Sequence, residues 1–226
     1  MSDNEHHFCM CAVPKTNVKT KAALLRKYQW PIGSTITVKF LGGAKSLQER
    51  VKKVAKEWTG ANMAKVTLAF KDQGDADIRI AFQQGNGSWS YLGTYCKQIP
   101  KNEPTMNYGW LTPTSSEDEL RRVVLHEFGH ALGLIHEHQN PNRPIKWNKD
   151  AVYHDLQGPP NNWTKAQVDS NMFQKYEPKE LKSTKTDPLS IMMYPIPKAW
   201  TLDGFSAGFN KELSATDKKF IKENYR

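Results

Sequence analysis

Apolar residues alternate with polar ones in several short runs of the first half of the chain. This alternation predicts strands over residues 36–40, 66–70 and 78–82. Between the first two runs, apolar positions at helical spacing predict an amphipathic helix over residues 45–59. The order strand, helix, strand, strand indicates a mixed β-sheet with a backing helix, and therefore the α+β class.

Two more strands and a long helix are predicted next. Residues 88–94 form a short run that we place at an edge of the sheet, and residues 105–111 form the last strand. Ser115 or Ser116 then supplies the N-cap of a helix whose first turn, residues 117–119, is acidic. The apolar positions of this helix predict that it lies buried beneath the sheet.

The second half of the chain is richer in loop-forming residues. It predicts short helices over residues 149–156 and 165–173 and a closing helix over residues 217–225. Capping residues are predicted for the last two helices, namely Thr164 with Gln167 and Ser214 with Asp217.

Five residues in and just after the long helix have types and spacing that predict a metal site: His126, Glu127, His130, Gly133 and His136. Residues four apart stand on one face of a helix, so His126 and His130 can reach one ion. In a continuous helix His136 would lie about 15 Å along the axis from His126, so the chain must turn. Gly133 can adopt the left-handed conformation that such a turn needs. Three imidazoles with an open fourth position are the ligand set of a catalytic zinc ion, and Glu127 is placed to act on zinc-bound water.

This long histidine pattern resembles that of the metzincin clan of zinc endopeptidases. Glu137, directly after the third histidine, and Ser190 are similar to the astacin branch in particular. The resemblance implies a metzincin-like zincin fold, with a twisted mixed sheet, a backing helix, an active-site helix and a smaller irregular C-terminal lobe.

The same resemblance divides the chain into regions. We expect residues 1–29 to form an N-terminal segment that is flexible or pro-like, and residues 30–226 to form the catalytic domain. Within that domain the upper lobe is expected over residues 30–133 and the lower lobe over residues 134–226.

Residues 190–195, with the sequence Ser-Ile-Met-Met-Tyr-Pro, resemble the Met-turn that lies under the zinc ion of metzincins. An astacin-like alignment selects Met192 and a matrixin-like alignment selects Met193, and we choose Met192 because Glu137 and Ser190 favour the astacin branch. In that alignment Tyr194 is the tyrosine switch, which can bind zinc at rest and then donate a hydrogen bond to the developing oxyanion. In the matrixin alignment Tyr194 is structural.

The resemblance implies a zinc-dependent endopeptidase with one catalytic Zn²⁺, in which Glu127 acts as general base and then as general acid. Protein or peptide substrates would bind extended in a cleft along the edge strand, where Ser88, Trp89, Ser90 and Tyr91 are the candidate contacts. The alternative for Trp89 and Tyr91 is that they only pack the sheet. Two other functions stay open, which are a zinc-containing binding protein without turnover and a zinc hydrolase of a non-peptide amide.

Three cysteines, Cys9, Cys11 and Cys96, cannot form a fully paired set of disulfides. Residues 11–14, Cys-Ala-Val-Pro, resemble the pro-segment of matrixins, whose thiolate caps the zinc ion. We therefore name Cys11, or else Cys9, as a possible inhibitory thiol. The alternative is a flexible N-terminal segment that carries two free thiols.

Composition and charge change this interpretation little. The formal net charge is +9, but the lysines are scattered, so we expect no nucleic-acid binding. No stretch approaches the roughly 20 apolar residues that span a bilayer, and the first 30 residues lack the apolar core of a signal peptide. We expect a monomer that is secreted or delivered by a signal-independent route, with the cytoplasm as the alternative.

Overall fold

The computed structural model describes residues 9–12, 28–140, 145–174 and 186–226. The strands of these residues form one mixed sheet in the order β1-β5-β6-β4-β2-β3. They are β1 (Met10–Ala12), β2 (Thr35–Phe40), β3 (Thr67–Phe70), β4 (Ile78–Ala81), β5 (Trp89–Tyr91) and β6 (Met106–Asn107). β5 runs antiparallel to β6, whereas the other neighbouring strands pair in parallel. The predicted α+β class with a mixed sheet is therefore confirmed.

Three strands differ from the prediction. The strand predicted over residues 88–94 at the edge of the sheet ends at Tyr91, before the 3₁₀ turn Gly93–Gln98, and β1 lies outside it in the sheet. The strand expected over residues 105–111 is reduced to β6, because the amide of Gly109 turns to the hydroxyl of Ser88 (3.0 Å). β1 was not predicted as a strand. It pairs with the outer edge of β5, with Met10 opposite Trp89.

The helices of the described residues lie close to their predicted positions. They are α1 (Lys45–Ala55), α2 (Glu117–Ala131), α3 (Lys149–Gln157), α4 (Lys165–Val168) and α5 (Ala215–Asn224). Short 3₁₀ turns cover Lys56–Thr59, Gly93–Gln98, Glu137–Gln139 and Lys198–Trp200, and a π-helical turn at Asp169–Phe173 continues α4. The predicted capping boxes of Thr164 and Ser214 are both present. None of the described helices is long and apolar enough to cross a membrane.

The main core lies between the sheet and two helices, the backing helix α1 and the long helix α2. Trp58, which is fully buried at the end of α1, donates from its indole nitrogen to the carbonyl of Leu125 in α2 (2.9 Å). A second cluster of apolar residues lies in the predicted lower lobe and includes Val152, Met193 and Trp200. The closing helix α5 packs against the upper core instead, because Ile221 and Tyr225 belong to the first cluster.

A buried arginine on β4 holds the loop that leads into β6. Arg79 is 2% exposed, and its guanidinium donates to the carbonyls of Ala76, Ile99, Pro100 and Glu103 at 2.6–3.2 Å. A buried charge is tolerated only where such partners replace water. Arg79 therefore fixes the turn that follows β5, which borders the cleft described below.

Candidate metal centre and cleft

Helix α2 ends where the predicted metal site requires the chain to turn. Its N-cap is Ser116, whose hydroxyl accepts from the amide of Glu119 (3.2 Å). After Ala131 the chain passes through Gly133, whose φ of +91° is a conformation that costs glycine little. The amide of Leu134 then donates back to the carbonyl of Gly129 (2.9 Å), so the chain reverses and returns beside the helix.

This turn brings three imidazoles together. His126, His130 and His136 are all buried, and their ligand nitrogens lie within 4.8 Å of one another. Nδ1 of His126 faces the carbonyl of Ile191 (2.9 Å) and Nδ1 of His130 faces that of Leu134 (2.8 Å). Because a nitrogen that faces a carbonyl carries the proton, Nε2 of both rings is left with a lone pair.

The site fits a cation because these lone pairs are available to bind one. Nε2 of His130 lies 3.0 Å from Nε2 of His136, and the buried Nε2 of His126 has no hydrogen-bond partner among the described residues. A buried polar atom without a partner is costly, and one ion bound by three nitrogens removes that cost. Burial also lowers the pKa of all three histidines, that of His130 to about 4, so the rings are neutral at physiological pH, as metal ligands must be.

Glu127 stands next to the first of these ligands. It is fully buried, and within the described part of the chain only the Cys9 thiol is placed to donate to its carboxylate. Burial raises the pKa of this carboxyl well above its usual value. A desolvated carboxylate beside a metal site has the properties of a general base.

The Met-turn lies directly against α2. A Cβ atom placed on Gly129 would come within 2.4 Å of Sδ of Met192, so the methionine fills the space left by the missing side chain. Met192 belongs to the upper core, whereas Met193 packs in the lower cluster. Its contact with Gly129 and its place in the upper core favour Met192, the choice of the astacin-like alignment.

A family model described as Astacin (Peptidase family M12A) matches residues 25–226. The chain belongs to the astacin family. The comparison with curated proteins gives no match. Because members of this family are zinc metallopeptidases, the protein is a metalloendopeptidase that acts on proteins or peptides, and its three buried histidines fit the single zinc ion.

Solved structures agree with this assignment. Two structures of myroilysin are similar to this astacin, one with 48% identity and a TM-score of 0.86 and the other with 44% identity and a TM-score of 0.71. The first match covers 89% of this chain and 97% of that chain, and the second covers 96% and 90%. High choriolytic enzyme 1, a hatching enzyme zinc-protease from the medaka fish Oryzias latipes, is 17% identical with a TM-score of 0.58. That match covers 88% of this chain and 94% of that chain, and it shows the fold alone.

Tyr194 and His138 complete the wall of this astacin's cleft. The ring of Tyr194 lies 4.3 Å from that of His136 and 4.7 Å from that of His138, between centroids. Its hydroxyl donates to the backbone carbonyl of Cys9. Nε2 of His138 faces the carbonyl of Asn171 (2.7 Å), so this fourth histidine is held as a packing partner of Tyr194.

Two buried carboxyl groups tie the Met-turn to its surroundings. Glu137 accepts from the amide of Asp187 (3.0 Å) and the side chain of Asn140 (3.1 Å), and burial raises its pKa to about 7. Asp217, at the start of α5, accepts from the hydroxyl of Ser190 (2.6 Å) and the amide of Ile191 (2.8 Å). Since the carbonyl of Ile191 faces His126, Asp217 fixes the acceptor that orients a zinc ligand.

Cys9 lies at the metal site. Its sulfur is within 4.8 Å of ligand atoms of His126 and Glu127. Burial, followed by the charge of Glu127, raises the pKa of the Cys9 thiol. The backbone of Cys11 pairs with Ser90 in the β1–β5 register. Of the two thiols named from the sequence, Cys9 is the one that the structure describes beside the histidines, and the role of Cys11 stays a prediction.

The edge strand β5 divides its candidate substrate contacts between two faces. Ser88 and Ser90 are buried, at 0% and 1% exposure, so their side chains point into the core. Trp89 and Tyr91 are half-buried on the opposite face. With β1 paired to β5, the side chains of the two serines are therefore not exposed.

Sequence reasoning gave no role in the cleft to His138, and it gave Asp217 only that of a helix cap. The position of His138, two residues after the third ligand, was the available signal. For Asp217 there was none, because its contacts with Ser190 and Ile191 join positions 27 and 26 residues apart.

We expect Gly129→Ala to weaken both the fold and the zinc site. The new Cβ collides with Met192, and overpacking of this kind costs about 1–3 kcal/mol in free energy of unfolding. Urea unfolding and zinc titration measure the two effects. Gly208→Ala, which meets nothing within 4 Å, is the control. The double variant Gly129→Ala, Met192→Ala should lose less free energy of unfolding than the sum of the two single losses, because the collision is relieved. Strictly additive losses would contradict the contact.

Proposed function

We propose that this astacin hydrolyses peptide bonds of extended protein substrates with Glu127 as the proton carrier, and that its N-terminal segment holds it latent. The observation that supports the catalytic part is the buried carboxylate of Glu127, which lies beside His126 and meets no side-chain donor among the described residues other than the Cys9 thiol of the N-terminal segment. If Glu127 had only a structural role, its buried carboxylate oxygens would be expected to accept several hydrogen bonds, because a buried charge without them is costly.

Each catalytic residue has one task in this scheme. His126, His130 and His136 would hold the Zn²⁺, which when bound supplies a Lewis acid that acidifies water and polarises the substrate carbonyl. Glu127 accepts a proton from the attacking water and passes it to the departing amine nitrogen. Its raised pKa, caused by burial, suits a group that must both take and return a proton near neutral pH.

Tyr194 would donate to the oxygen on which negative charge develops. Its hydroxyl already donates to a backbone carbonyl, that of Cys9, in a segment that lies across the same site. That carbonyl stands in for the carbonyl of a substrate residue. One such donor contributes about a hundredfold or more to the rate when its hydrogen bond strengthens in the transition state.

The same segment supports the latent state. β1 pairs with the edge of β5 that a substrate would use, and it puts the sulfur of Cys9 beside His126 and Glu127. A thiolate is a good zinc ligand, and as a fourth ligand it would exclude water from the metal. Displacement of β1 would then open the edge strand and the metal at the same time.

The two cysteines of the N-terminal segment provide a matched test of latency. We expect Cys9→Ala to raise the casein-cleaving activity of the intact chain at least tenfold, because the fourth ligand is lost. Cys11→Ala should leave the activity of the intact chain as it is. Equal effects of both substitutions, or an effect of Cys11→Ala alone, would contradict the assignment of Cys9.

Glu127→Ala should bind zinc with near-native stoichiometry and cut neither casein nor gelatin. Glu127→Ala is compared with the unsubstituted chain, and the same comparison is made in the Cys9→Ala background. The second comparison ensures that latency does not hide activity. Cleavage-site profiling of a peptide library, with and without a chelator, identifies the bond that is cut. A chain that leaves every peptide whole would be a binding protein, and one that cuts only non-peptide amides would be the other alternative. Equal cleavage by both proteins would remove Glu127 from the mechanism.

Tyr194→Phe keeps the ring and removes only the hydroxyl. We expect kcat for a peptide substrate to fall about a hundredfold while KM and the zinc content change little, since the lost hydrogen bond acts in the transition state. Tyr153→Phe, which removes a hydroxyl bonded to Asp169 in the lower lobe, is the control. A rise in KM with unchanged kcat would instead indicate a role in ground-state binding.

A further inference from the structure

Four aromatic side chains form a continuous row beside the edge of the sheet. The ring centroids of Trp89 and Tyr91 are 5.6 Å apart, those of Tyr91 and Tyr95 are 5.5 Å apart, and those of Tyr95 and Tyr28 are 5.2 Å apart. Each pair meets edge to face, at interplanar angles of 60–74°. Tyr28 is buried, whereas the other three rings are half-buried. We call these four residues the aromatic row.

The local sequence builds this row in two steps. Alternation in β5 buries Ser90 and Leu92 and leaves Trp89 and Tyr91 half-buried. The 3₁₀ turn Gly93–Gln98 then carries Tyr95 back beside Tyr91.

A close backbone contact holds this turn in place. The amide of Thr94 donates to the carbonyl of Tyr28 (2.8 Å), and a Cβ on Gly93 would lie 1.9 Å from that carbonyl oxygen. Only glycine allows this approach, so Gly93 fixes Tyr95 between Tyr91 and Tyr28.

The position of the row along the cleft follows from the register of β1. Cys9 lies at the metal site, and the next residues pair with Trp89, Ser90 and Tyr91 in turn. The row therefore lies on one side of the metal site only, along the residues of β5 that pair with β1 after Cys9. A substrate antiparallel to β5, the more stable pairing, would place there the residues that precede its scissile bond.

We propose that the aromatic row is a binding subsite for substrate residues on the N-terminal side of the scissile bond, selecting aromatic and proline side chains at two alternate positions. This inference rests on the proposed peptidase function. Residues directly opposite each other in an antiparallel pair project to the same face, so the substrate residues opposite Trp89 and Tyr91 both meet the row. The residue between them faces the side of Ser90 and carries no such preference.

The chemistry of the row fits this class of side chain. Flat apolar groups gain from edge-to-face and stacked contacts with aromatic rings. Burial and the neighbouring Tyr95 raise the pKa of Tyr91, so its phenol stays neutral at physiological pH. The row also continues to Ile135 of the zinc-binding loop, which packs against Tyr28 and Leu92.

The test is a positional scan of peptide substrates with a fixed C-terminal half. Each of the four positions before the scissile bond is varied among phenylalanine, proline, glycine and lysine, and kcat/KM is measured with the full chain and with Cys9→Ala. Ratios of kcat/KM between peptides do not depend on the fraction of enzyme from which β1 is displaced, so latency does not distort them. We expect phenylalanine and proline to exceed glycine about three- to tenfold at two positions separated by one, as an aromatic contact provides.

Variants assign each preference to a ring. Trp89→Ala should abolish the preference nearer the scissile bond and Tyr95→Ala the one further away, while Tyr95→Phe keeps both. Phe70→Ala, a half-buried aromatic on the strand at the opposite edge of the sheet, should also keep both. Zinc content and melting temperature identify any variant that fails to fold.

Binding gives a readout that does not need catalysis. The affinity of the same peptides for the Cys9→Ala, Glu127→Ala chain should show the same two alternate preferences. Cleavage with a flat profile before the scissile bond, or preferences that survive Trp89→Ala and Tyr95→Ala, would mean that the rings only pack the sheet. Alternate preferences on the C-terminal side would also overturn the proposal. Absence of all cleavage with intact selective binding would instead contradict the peptidase function and leave the subsite standing.

Discussion

Three neutral imidazoles that share one buried space set the requirement that the rest of the site meets. Water cannot reach the Nε2 lone pair of His126, and no described residue donates to it. Such an arrangement is stable only if a cation occupies it or if the surrounding structure holds the rings there. The two histidines of α2 are held by carbonyls of the Met-turn and the zinc-binding loop. Metal affinity therefore depends on backbone that lies outside the helix which carries the motif.

That backbone is fixed in turn by the C-terminal helix. Asp217 caps α5 through Ser214 and also accepts from Ser190 and Ile191, so one carboxylate joins the last helix to the Met-turn. Burial raises the pKa of Asp217, and its hydrogen bonds to Ser190, Ile191 and Ser214 oppose that shift. A buried charge with several donors is costly to disturb, because the loss of one partner leaves the others unsatisfied. Helix α5 thus completes a site whose metal ligands lie about 80–90 residues earlier in the sequence.

The sequence was sufficient where the determinants are local. Helical spacing, Gly133 and the capping residues lie within a few positions of one another, and the predicted metal ligands and helix starts follow from them. The sequence did not predict the contacts between distant segments. The roles of Asp217 and Arg79 depend on partners that the fold brings together from distant positions. No residue next to either of them in the sequence predicts these contacts. The place of Cys9 beside the histidines depends on the pairing of β1, a strand whose short sequence shows no alternation.

The edge strand β5 connects latency with substrate selection. β1 occupies it now, and an extended substrate needs the same backbone groups, so the two compete for one set of hydrogen bonds. Those bonds do not discriminate between sequences, since every peptide offers them. Discrimination must come from side chains beside the strand, and the half-buried rings of Trp89, Tyr91 and Tyr95 are what β5 and its turn present there. A substrate that gains contacts with these rings therefore competes better against β1 than one that pairs through its backbone alone.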